Sequence, residues 1–127
     1  MKIHLDTNLL IEVGLSGSLV RVSLVSWLRN GNQLATSTIA WSEFCNGPVD
    51  EKQLRTTEVA LDNCILAFTK PMAEMASFLY NKTGRRSGSH SDCMIAACAI
   101  ISQAPLSTIN TKDFERFAPY GLRLHSF

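Results

Sequence analysis

The sequence predicts an α/β fold, in which helices cover both faces of a central parallel sheet of four to five strands. Short apolar segments of strand length alternate with segments of helical periodicity along all 127 residues, and this order is typical of parallel sheets with helical crossovers. The segment CMIAACAII at 93–101 is apolar on every side, as expected of a helix buried on both flanks. No repeat, low-complexity tract or linker interrupts the pattern, so we expect one domain over residues 1–127.

Two strands and three helices are predicted in the first part of the chain. The strands are short apolar runs, and the helices carry apolar residues at helical spacing. Gly14 and the Ser-Gly-Ser at 16–18 end the first helix, and the Asn-Gly-Asn at 30–32 ends the second. The Thr-Ser-Thr at 36–38 supplies good N-cap residues for the third. The predicted elements are a strand at 3–5, a helix at 9–13, a helix at 19–29, a strand at 33–35 and a helix at 39–45.

The second part of the chain continues the alternation of helices and strands. The charge density of residues 50–62 indicates an exposed helix whose apolar points are Leu54, Val59 and Leu61. Pro71 suits the first turn of the helix that follows the next strand. The predicted elements are the helix at 50–62, a strand at 64–68, a helix from Pro71, the buried helix opened by Ser91-Asp92, a strand at 105–107, one or two helical turns at 111–117 and an edge strand at 122–124.

The composition is that of an ordinary globular protein. Hydrophobic residues make up 46% and charged residues 18% of the chain, and the net charge is +1. This mix excludes a disordered protein, and no apolar run approaches the ~20 residues of a membrane span. The start lacks the regions of a signal peptide, so we expect a cytoplasmic protein. Because the net charge is small, any binding of nucleic acid must depend on a local basic patch.

The cysteines and histidines show no metal-binding spacing. The four cysteines, Cys45, Cys64, Cys93 and Cys98, include no CxxC pair, and the three histidines are scattered. We therefore expect reduced, mostly buried thiols and no transition-metal site built from Cys and His.

Acidic side chains follow the predicted strands. Asp6 comes directly after the first strand, and Glu43 lies in the helix after the second. Asp92 opens the buried helix, and Asn110 and Asp113 follow the strand after it. Because right-handed crossovers bring the carboxyl ends of parallel strands to one edge of the sheet, these side chains are expected to share a crevice.

Such a cluster of carboxylates needs compensation. Two like charges a few ångströms apart repel each other by about 4 kcal/mol at an effective dielectric near 20, so the group requires either a cation or raised pKa values. Ligands that are all oxygen suit Mg²⁺ or Mn²⁺. The sequence therefore predicts a divalent-cation site at this edge.

Each acid also has a simpler structural interpretation. Asp6 can cap the helix that follows it, and Asp92 stands at a capping-box spacing from Ser89. Asp113 can be an ordinary first-turn acid, and Glu43 can be a solvated helix residue. These interpretations explain the residues one at a time but not their joint placement.

Four segments of the chain, in order, carry a family resemblance: LDTNLLIE at 5–12, TIAWSEF at 38–44, SDCMIAACAI at 91–100 and LSTINTKDFERF at 106–117. With these motifs the chain resembles the PIN-domain family, and within it the small VapC-type toxins of bacterial and archaeal toxin–antitoxin pairs. The resemblance implies a three-layer α/β/α fold and a ribonuclease that uses Mg²⁺ or Mn²⁺. It also implies an RNA substrate, a cognate antitoxin protein and a homodimer.

The resemblance assigns the metal ligands to Asp6, Glu43 and Asp92. Many family members carry an acid directly after a Thr-Arg pair in the last motif, whereas this chain has Thr108-Ile109 followed by Asn110. The Asn110 carbonyl or the carboxylate of Asp113, one turn later, can fill this fourth position, and the number of metal ions stays open. Either Glu43 or Asp113 can accept the proton of the attacking water.

Substrate contacts are expected from polar and basic residues around the crevice. Thr7 and Asn8 are placed for hydrogen bonds to a carboxylate or a phosphate, although Asn8 can equally be a packing or capping residue. Basic residues of the polar loop and of the last motif can dock backbone phosphates, or the loop can simply be solvated. These residues are Lys82, Arg85, Arg86, Lys112 and Arg116.

Apolar residues of the early helices are candidates for an interface. Leu15, Leu19, Val22 and Trp27 are expected to form exposed faces that serve a dimer or an inhibitory partner, or else to pack in the core.

Three other functions can be compared with the residues present. A phosphatase of the haloacid-dehalogenase type needs a second Asp two residues after the first, and here that position is Asn8. A nucleotide-binding sheet protein lacks support because no G-x-G-x-x-G or P-loop is present. A non-catalytic module that binds RNA or protein stays open because Asn110 replaces an acid.

Overall fold

The computed structural model describes residues 1–127 and contains a four-stranded parallel sheet. In spatial order the strands run β3-β2-β1-β4, so the first strand lies at the centre. The strands are β1 (Lys2–Leu5), β2 (Gln33–Ser37), β3 (Ile65–Leu66) and β4 (Leu106–Ser107). Leu5 pairs with Ser107, so β1 and β4 end side by side at the carboxyl edge. The predicted parallel α/β architecture is confirmed.

Seven α-helices flank the sheet, and a 3-10 helix, Glu115–Tyr120, follows the last of them. The helices are α1 (Thr7–Val13), α2 (Leu19–Arg29), α3 (Thr38–Asn46), α4 (Glu51–Leu61), α5 (Lys70–Lys82), α6 (His90–Ile101) and α7 (Thr111–Phe114). The predicted bounds of α2 are confirmed at both ends. Ser37 caps α3 by accepting from the Ala40 amide, as the cluster of polar residues at 36–38 predicts.

Two predicted strands are shorter than expected. The segment 64–68 contributes only the two residues of β3, because Thr69 already caps α5 and the chain leaves the sheet there. The segment 122–124 forms a single parallel bridge between Leu106 and Leu124. Its neighbour His125 donates its amide to the Leu106 carbonyl at 2.8 Å, which holds the C-terminal segment against β4 without a full strand.

The helix α6 is buried, as its composition predicts. Cys93 and residues 95–99 are enclosed, and the small side chains among them allow α5 to pack closely against α6. Phe44, Phe114 and Phe117 are the largest fully buried side chains of the core. This packing places the amino terminus of α6, with Asp92, at the edge where β1 ends.

The sequence did not determine three side-chain placements. Val59 is 79% exposed, because α4 turns Thr57 and Leu61 toward the core instead. Cys45 is exposed near the end of α3, so the thiols are free but not all buried. Trp27 is covered by the C-terminal residues, and its ring centre lies 4.7 Å from that of His125.

None of the helices reaches the length and hydropathy that crossing a bilayer requires.

Candidate active site

Asp6 lies at the carboxyl end of β1 and is 5% exposed. Its Oδ1 accepts the Thr7 amide at 2.8 Å, which caps α1, and its Oδ2 accepts the Thr108 hydroxyl at 2.8 Å. Burial raises the pKa of Asp6, and the charges of Glu43 and Asp113 add to the rise, against the two hydrogen bonds. Asp6 therefore both caps α1 and interacts with the other acids of the site.

Thr108 is a site residue that the sequence did not single out for this role. It is buried directly after β4, and besides donating to Asp6 its Oγ1 accepts the Asn110 amide at 3.0 Å. The signal was present in the sequence, because a polar residue directly after a strand at the carboxyl edge stands beside Asp6. Thr108 fixes the direction of the buried carboxylate, a role that supporting residues play around metal ligands.

Glu43 approaches from α3. Its Oε1 accepts the Thr7 hydroxyl at 2.6 Å, so Thr7 donates to a carboxylate as predicted. Glu43 is exposed, whereas Asn8 is half-buried in the first turn of α1. The single threonine that follows Asp6 thus links the first and second acids of the cluster.

Asp92 lies in the first turn of α6, with 31% of its side chain exposed. Burial raises the pKa of Asp92 to about 6, and the charges of Asp6, Asp113 and Glu43 contribute to the rise while Arg116 opposes it. The alternative interpretation of Asp92, a capping box with Ser89, is not what the structure shows. Ser89 makes no side-chain cap and instead donates its hydroxyl to the Arg86 carbonyl at 2.7 Å.

Four carboxylates interact electrostatically. They belong to Asp6, Glu43, Asp92 and Asp113, which we call the acidic cluster. The charges of Glu43 and Asp113 contribute to the raised pKa of both Asp6 and Asp92, after the larger effect of burial. Asp113 is the acid of the last motif that acts on Asp6 and Asp92, and Asn110 lies exposed at the start of α7 with no side-chain cap. The convergence of charge follows the expectation from the strand ends.

The donor set has the chemistry of a site for a hard divalent cation. Its ligands are all oxygen, which suits Mg²⁺ or Mn²⁺, and a cation would relieve the repulsion that raises the pKa of Asp6 and Asp92. No three Asp, Glu, His or Cys side chains stand together in a ready chelating arrangement. The fit therefore rests on the type and charge of the donors, and the carboxylates have to turn toward an ion to bind it.

Arg116 is the cation nearest to the cluster. Its Nη2 lies 3.9 Å from Asp92 Oδ2, and its Nη1 donates to the Asp113 carbonyl. Its guanidinium carbon is 4.5 Å from the Phe117 ring centre. Its Nε is buried without a hydrogen-bond partner, and an unsatisfied buried donor costs about 1–3 kcal/mol.

The other predicted phosphate contacts are dispersed. Arg85 stacks on Tyr80, with its guanidinium carbon 5.1 Å from the ring centre, and Lys82 lies 5.8 Å from the ring centre of Phe78. A polar cavity of about 220 Å³ contains only two of the five basic residues. It is lined by Arg86, Ser87, Gly88, Ser89, Asp92, Asp113 and Arg116. Lys112 lines a separate cavity of about 380 Å³ with Asn110 and Asp113.

A second surface lies on α2 and the turn before it. Of the two alternatives for these residues, exposure holds for Leu15, Leu19 and Val22, whereas Trp27 is half-buried and packs against the core. A cavity of about 230 Å³ opens between α2 and α4, and seven of its nine lining residues are hydrophobic. Exposed apolar surface beside an apolar cavity is typical of a protein interface.

Residues 3–119 match the PIN domain family. Three solved structures contain a chain of similar fold. A chain of VapBC2 from Rickettsia felis, bound to a promoter DNA fragment, has a TM-score of 0.76 at 23% identity and covers 100% of this chain and 99% of its own. A chain of DNA-bound VapBC from Salmonella typhimurium has a TM-score of 0.74 at 22% identity and covers 99% of this chain and 98% of its own. A chain of a toxin–antitoxin complex from Klebsiella pneumoniae has a TM-score of 0.69 at 29% identity and covers 88% of this chain and 89% of its own. No curated protein matches the sequence significantly.

Proposed function

Because this chain belongs to the PIN domain family, we propose that it is a metal-dependent endoribonuclease and the toxin of a toxin–antitoxin pair. One observation carries the proposal. Carboxylates from four separate segments share one field at the carboxyl edge of the sheet, and the pKa of Asp6 and Asp92 is raised there partly by the other acids. The fold holds these like charges together, and a bound divalent cation would compensate their repulsion.

Hydrolysis of a phosphodiester needs a nucleophilic water and neutralisation of charge on the phosphoryl oxygens, and a bound Mg²⁺ or Mn²⁺ supplies both. Asp6, Glu43 and Asp92 would hold the ion. Thr108 orients the Asp6 carboxylate through its 2.8 Å hydrogen bond, and Thr7 orients Glu43 at 2.6 Å. These hydroxyls restrict the rotation of the two carboxylates before any ion binds.

An exposed carboxylate is available to accept a proton during hydrolysis. Glu43 and Asp113 are both exposed, in contrast to the buried Asp6. A general base must reach the attacking water and then return its proton to solvent. Both residues are open to solvent, and the one that lies beside the attacking water would accept its proton.

Cleavage of RNA in the presence and absence of divalent ions tests this proposal. We expect purified protein to cut a labelled single-stranded RNA with Mn²⁺ or Mg²⁺, and excess EDTA to abolish the cleavage, because the carboxylates alone cannot activate water. Gel electrophoresis of the RNA gives the readout. RNA that is bound but never cut would favour the non-catalytic module instead, for which Asn110 at the fourth position is the argument.

We also propose an antitoxin as the partner of the surface formed by Leu15, Leu19 and Val22. The similar chains from R. felis and S. typhimurium were solved as VapBC, and the structure from K. pneumoniae is a toxin–antitoxin complex. The apolar cavity between α2 and α4 adjoins this surface, with Val25 and Leu28 of α2 among its lining residues. A homodimer stays a prediction, which light scattering of the purified protein would check.

Val22→Glu is expected to weaken antitoxin binding by about 10-fold or more, since burying an unpaired carboxylate at an apolar interface costs over about 1 kcal/mol. Val22 is 66% exposed in the free protein, so its folding should be unaffected. Calorimetric titration with the protein encoded by the neighbouring reading frame measures the effect. Ile101→Glu, at an exposed apolar position of α6, is the control. Equal affinity for wild type and Val22→Glu would exclude this surface.

A further inference from the structure

We propose that Arg86 and Arg116 form a phosphate subsite for the RNA backbone beside the carboxylates. The inference rests on the proposed ribonuclease function and deepens it, because it selects two residues out of five basic candidates. They come from separate parts of the chain, the loop before α6 and the 3-10 helix after α7, and the fold brings both to one cavity of about 220 Å³.

The cavity is built from polar groups alone. None of its seven lining residues is hydrophobic, so it does not suit an apolar side chain. Asp92 belongs both to its lining and to the acidic cluster. A phosphate in the cavity would therefore lie next to the residues proposed to hold the metal ion, where the RNA backbone has to pass.

Arg116 has donors left over for a ligand. Its side chain is 16% exposed, and its contact to Asp92 is long, at 3.9 Å. Its buried Nε has no acceptor within the protein. A guanidinium presents several donors in a planar fork that matches a phosphate group. Nη2, whose 3.9 Å contact to Asp92 is too long for a hydrogen bond, is the donor that a phosphate oxygen can meet.

The start of α6 adds further donors to the same cavity. Ser89, the N-cap residue, donates its hydroxyl to the Arg86 carbonyl, and its side chain does not cap the amides of α6. The first amides of α6 therefore have no capping side chain as acceptor. Free amides at a helix start favour an anion, and here they support a site that already contains two arginines.

The charges of the cavity make phosphate binding depend on the cation. Two arginines face two carboxylates, Asp92 and Asp113, so the lining has no net charge when all four are ionised. A divalent ion on the carboxylates would leave the positive charge of the arginines uncompensated. Phosphate and cation should then increase each other's affinity, and this coupling is reciprocal.

The remaining basic residues of the loop are held elsewhere. Arg85 stacks on Tyr80 and bonds Asn81, and Lys82 lies over Phe78. Substituting Arg86 or Arg116 should thus affect RNA far more than removing any other positive charge. This separates a defined subsite from a loop that attracts nucleic acid only by its charge.

The test measures RNA binding apart from cleavage. Fluorescence anisotropy with a labelled single-stranded RNA, in Ca²⁺ or in EDTA and over a range of KCl concentrations, gives the dissociation constant and its salt dependence. The variants are Arg116→Gln, Arg116→Lys and Arg86→Gln. Arg123→Gln is the matched control, because Arg123 is exposed and its carbonyl accepts the Leu106 amide at the start of β4, the edge opposite the site.

We expect Arg116→Gln and Arg86→Gln each to weaken binding about 10-fold in Ca²⁺ and to lower the slope of log affinity against log salt by about 1. In EDTA, each substitution should reduce the affinity for RNA by a smaller factor than in Ca²⁺. Arg116→Lys should restore the slope but only part of the affinity, because an ammonium lacks the planar fork. The control should bind as wild type does.

The outcomes separate this inference from the function on which it rests. If wild type cleaves RNA but the Arg116 and Arg86 variants bind like Arg123→Gln, the subsite is wrong and the ribonuclease proposal stands. If wild type neither binds nor cuts RNA, both fail. Thermal unfolding checks that Arg116→Gln is folded, and if it is not, the exposed Arg86 decides the question.

Discussion

Asp6→Asn is expected to lower the rate of RNA cleavage by about 10³-fold, the size of loss seen when one preorganised electrostatic group is removed from an active site. Asp6 is the most buried acid of the cluster, and two hydrogen bonds fix its direction. An amide has nearly the same shape but supplies no charge to a cation. Single-turnover cleavage of labelled RNA with saturating Mn²⁺ measures the change.

The same substitution should not harm folding. Burial raises the pKa of Asp6, so the ionised carboxylate is a cost to the metal-free protein that an uncharged amide avoids. The melting temperature in EDTA is therefore expected to be equal to or above that of wild type.

Asp62→Asn is the matched control for the loss of a carboxylate. Asp62 is exposed and follows α4 in a left-handed conformation that Asn also tolerates. Cleavage by Asp62→Asn should equal that of wild type. Wild-type rates in Asp6→Asn would mean that a contaminating nuclease or another site cuts the RNA.

Asp92→Asn is expected to stabilise the metal-free protein at neutral pH and to have no effect in acid. Burial and the neighbouring acids raise the pKa of Asp92 from its ordinary value near 4 to about 6. Such a rise corresponds to about 3 kcal/mol, which exposure of the side chain to solvent reduces to about 1–2 kcal/mol.

The pH dependence of the free energy of unfolding follows from where Asp92 binds its proton more tightly. The folded state holds the Asp92 proton more tightly than the unfolded state, so its contribution to stability is complete below about pH 4 and is lost as the pH rises through about 6. The asparagine of the variant cannot ionise, so the variant does not lose this stability as the pH rises. The free energy of unfolding of the variant minus that of wild type should thus grow between pH 4 and pH 7.

Taking this difference removes the titrating groups that do not interact with Asp92. Buried His4, whose pKa burial lowers to about 4, has the opposite effect, because stability falls as the pH drops below the ordinary histidine value. It is present in both proteins and cancels. Urea unfolding in EDTA from pH 4 to pH 8 gives the difference. A difference that does not change with pH would contradict the raised pKa of Asp92, and added Mg²⁺ should stabilise wild type more than the variant.

The helices and the parallel sheet could be predicted because their signals are local. The spacing of apolar residues, the cap at Ser37 and the breaks after Val13 and Arg29 each act within a few residues of the chain. Val59 shows the limit of this approach. Its spacing was compatible with a buried position, but only the docking of α4 decided that Thr57 and Leu61 point inward.

The acids of the site could also be placed from the sequence, since each follows a strand whose carboxyl end must meet the others. Asp6, Glu43, Asp92 and Asp113 do share one field. The partners of these acids could not be placed. The sequence did not identify Thr108 as a support for Asp6. It left open whether Ser89 caps α6, and in the structure Ser89 bonds the Arg86 carbonyl instead.

The sequence by itself determined the order of the elements, the parallel sheet and the edge at which the carboxylates gather, because periodicity and the handedness of crossovers depend on the chain alone. Only the tertiary structure decided which hydroxyl holds Asp6, which two arginines share a cavity and why Trp27 is covered. Those contacts join residues far apart in sequence. They depend on distances of a few ångströms that packing sets and that no local pattern records.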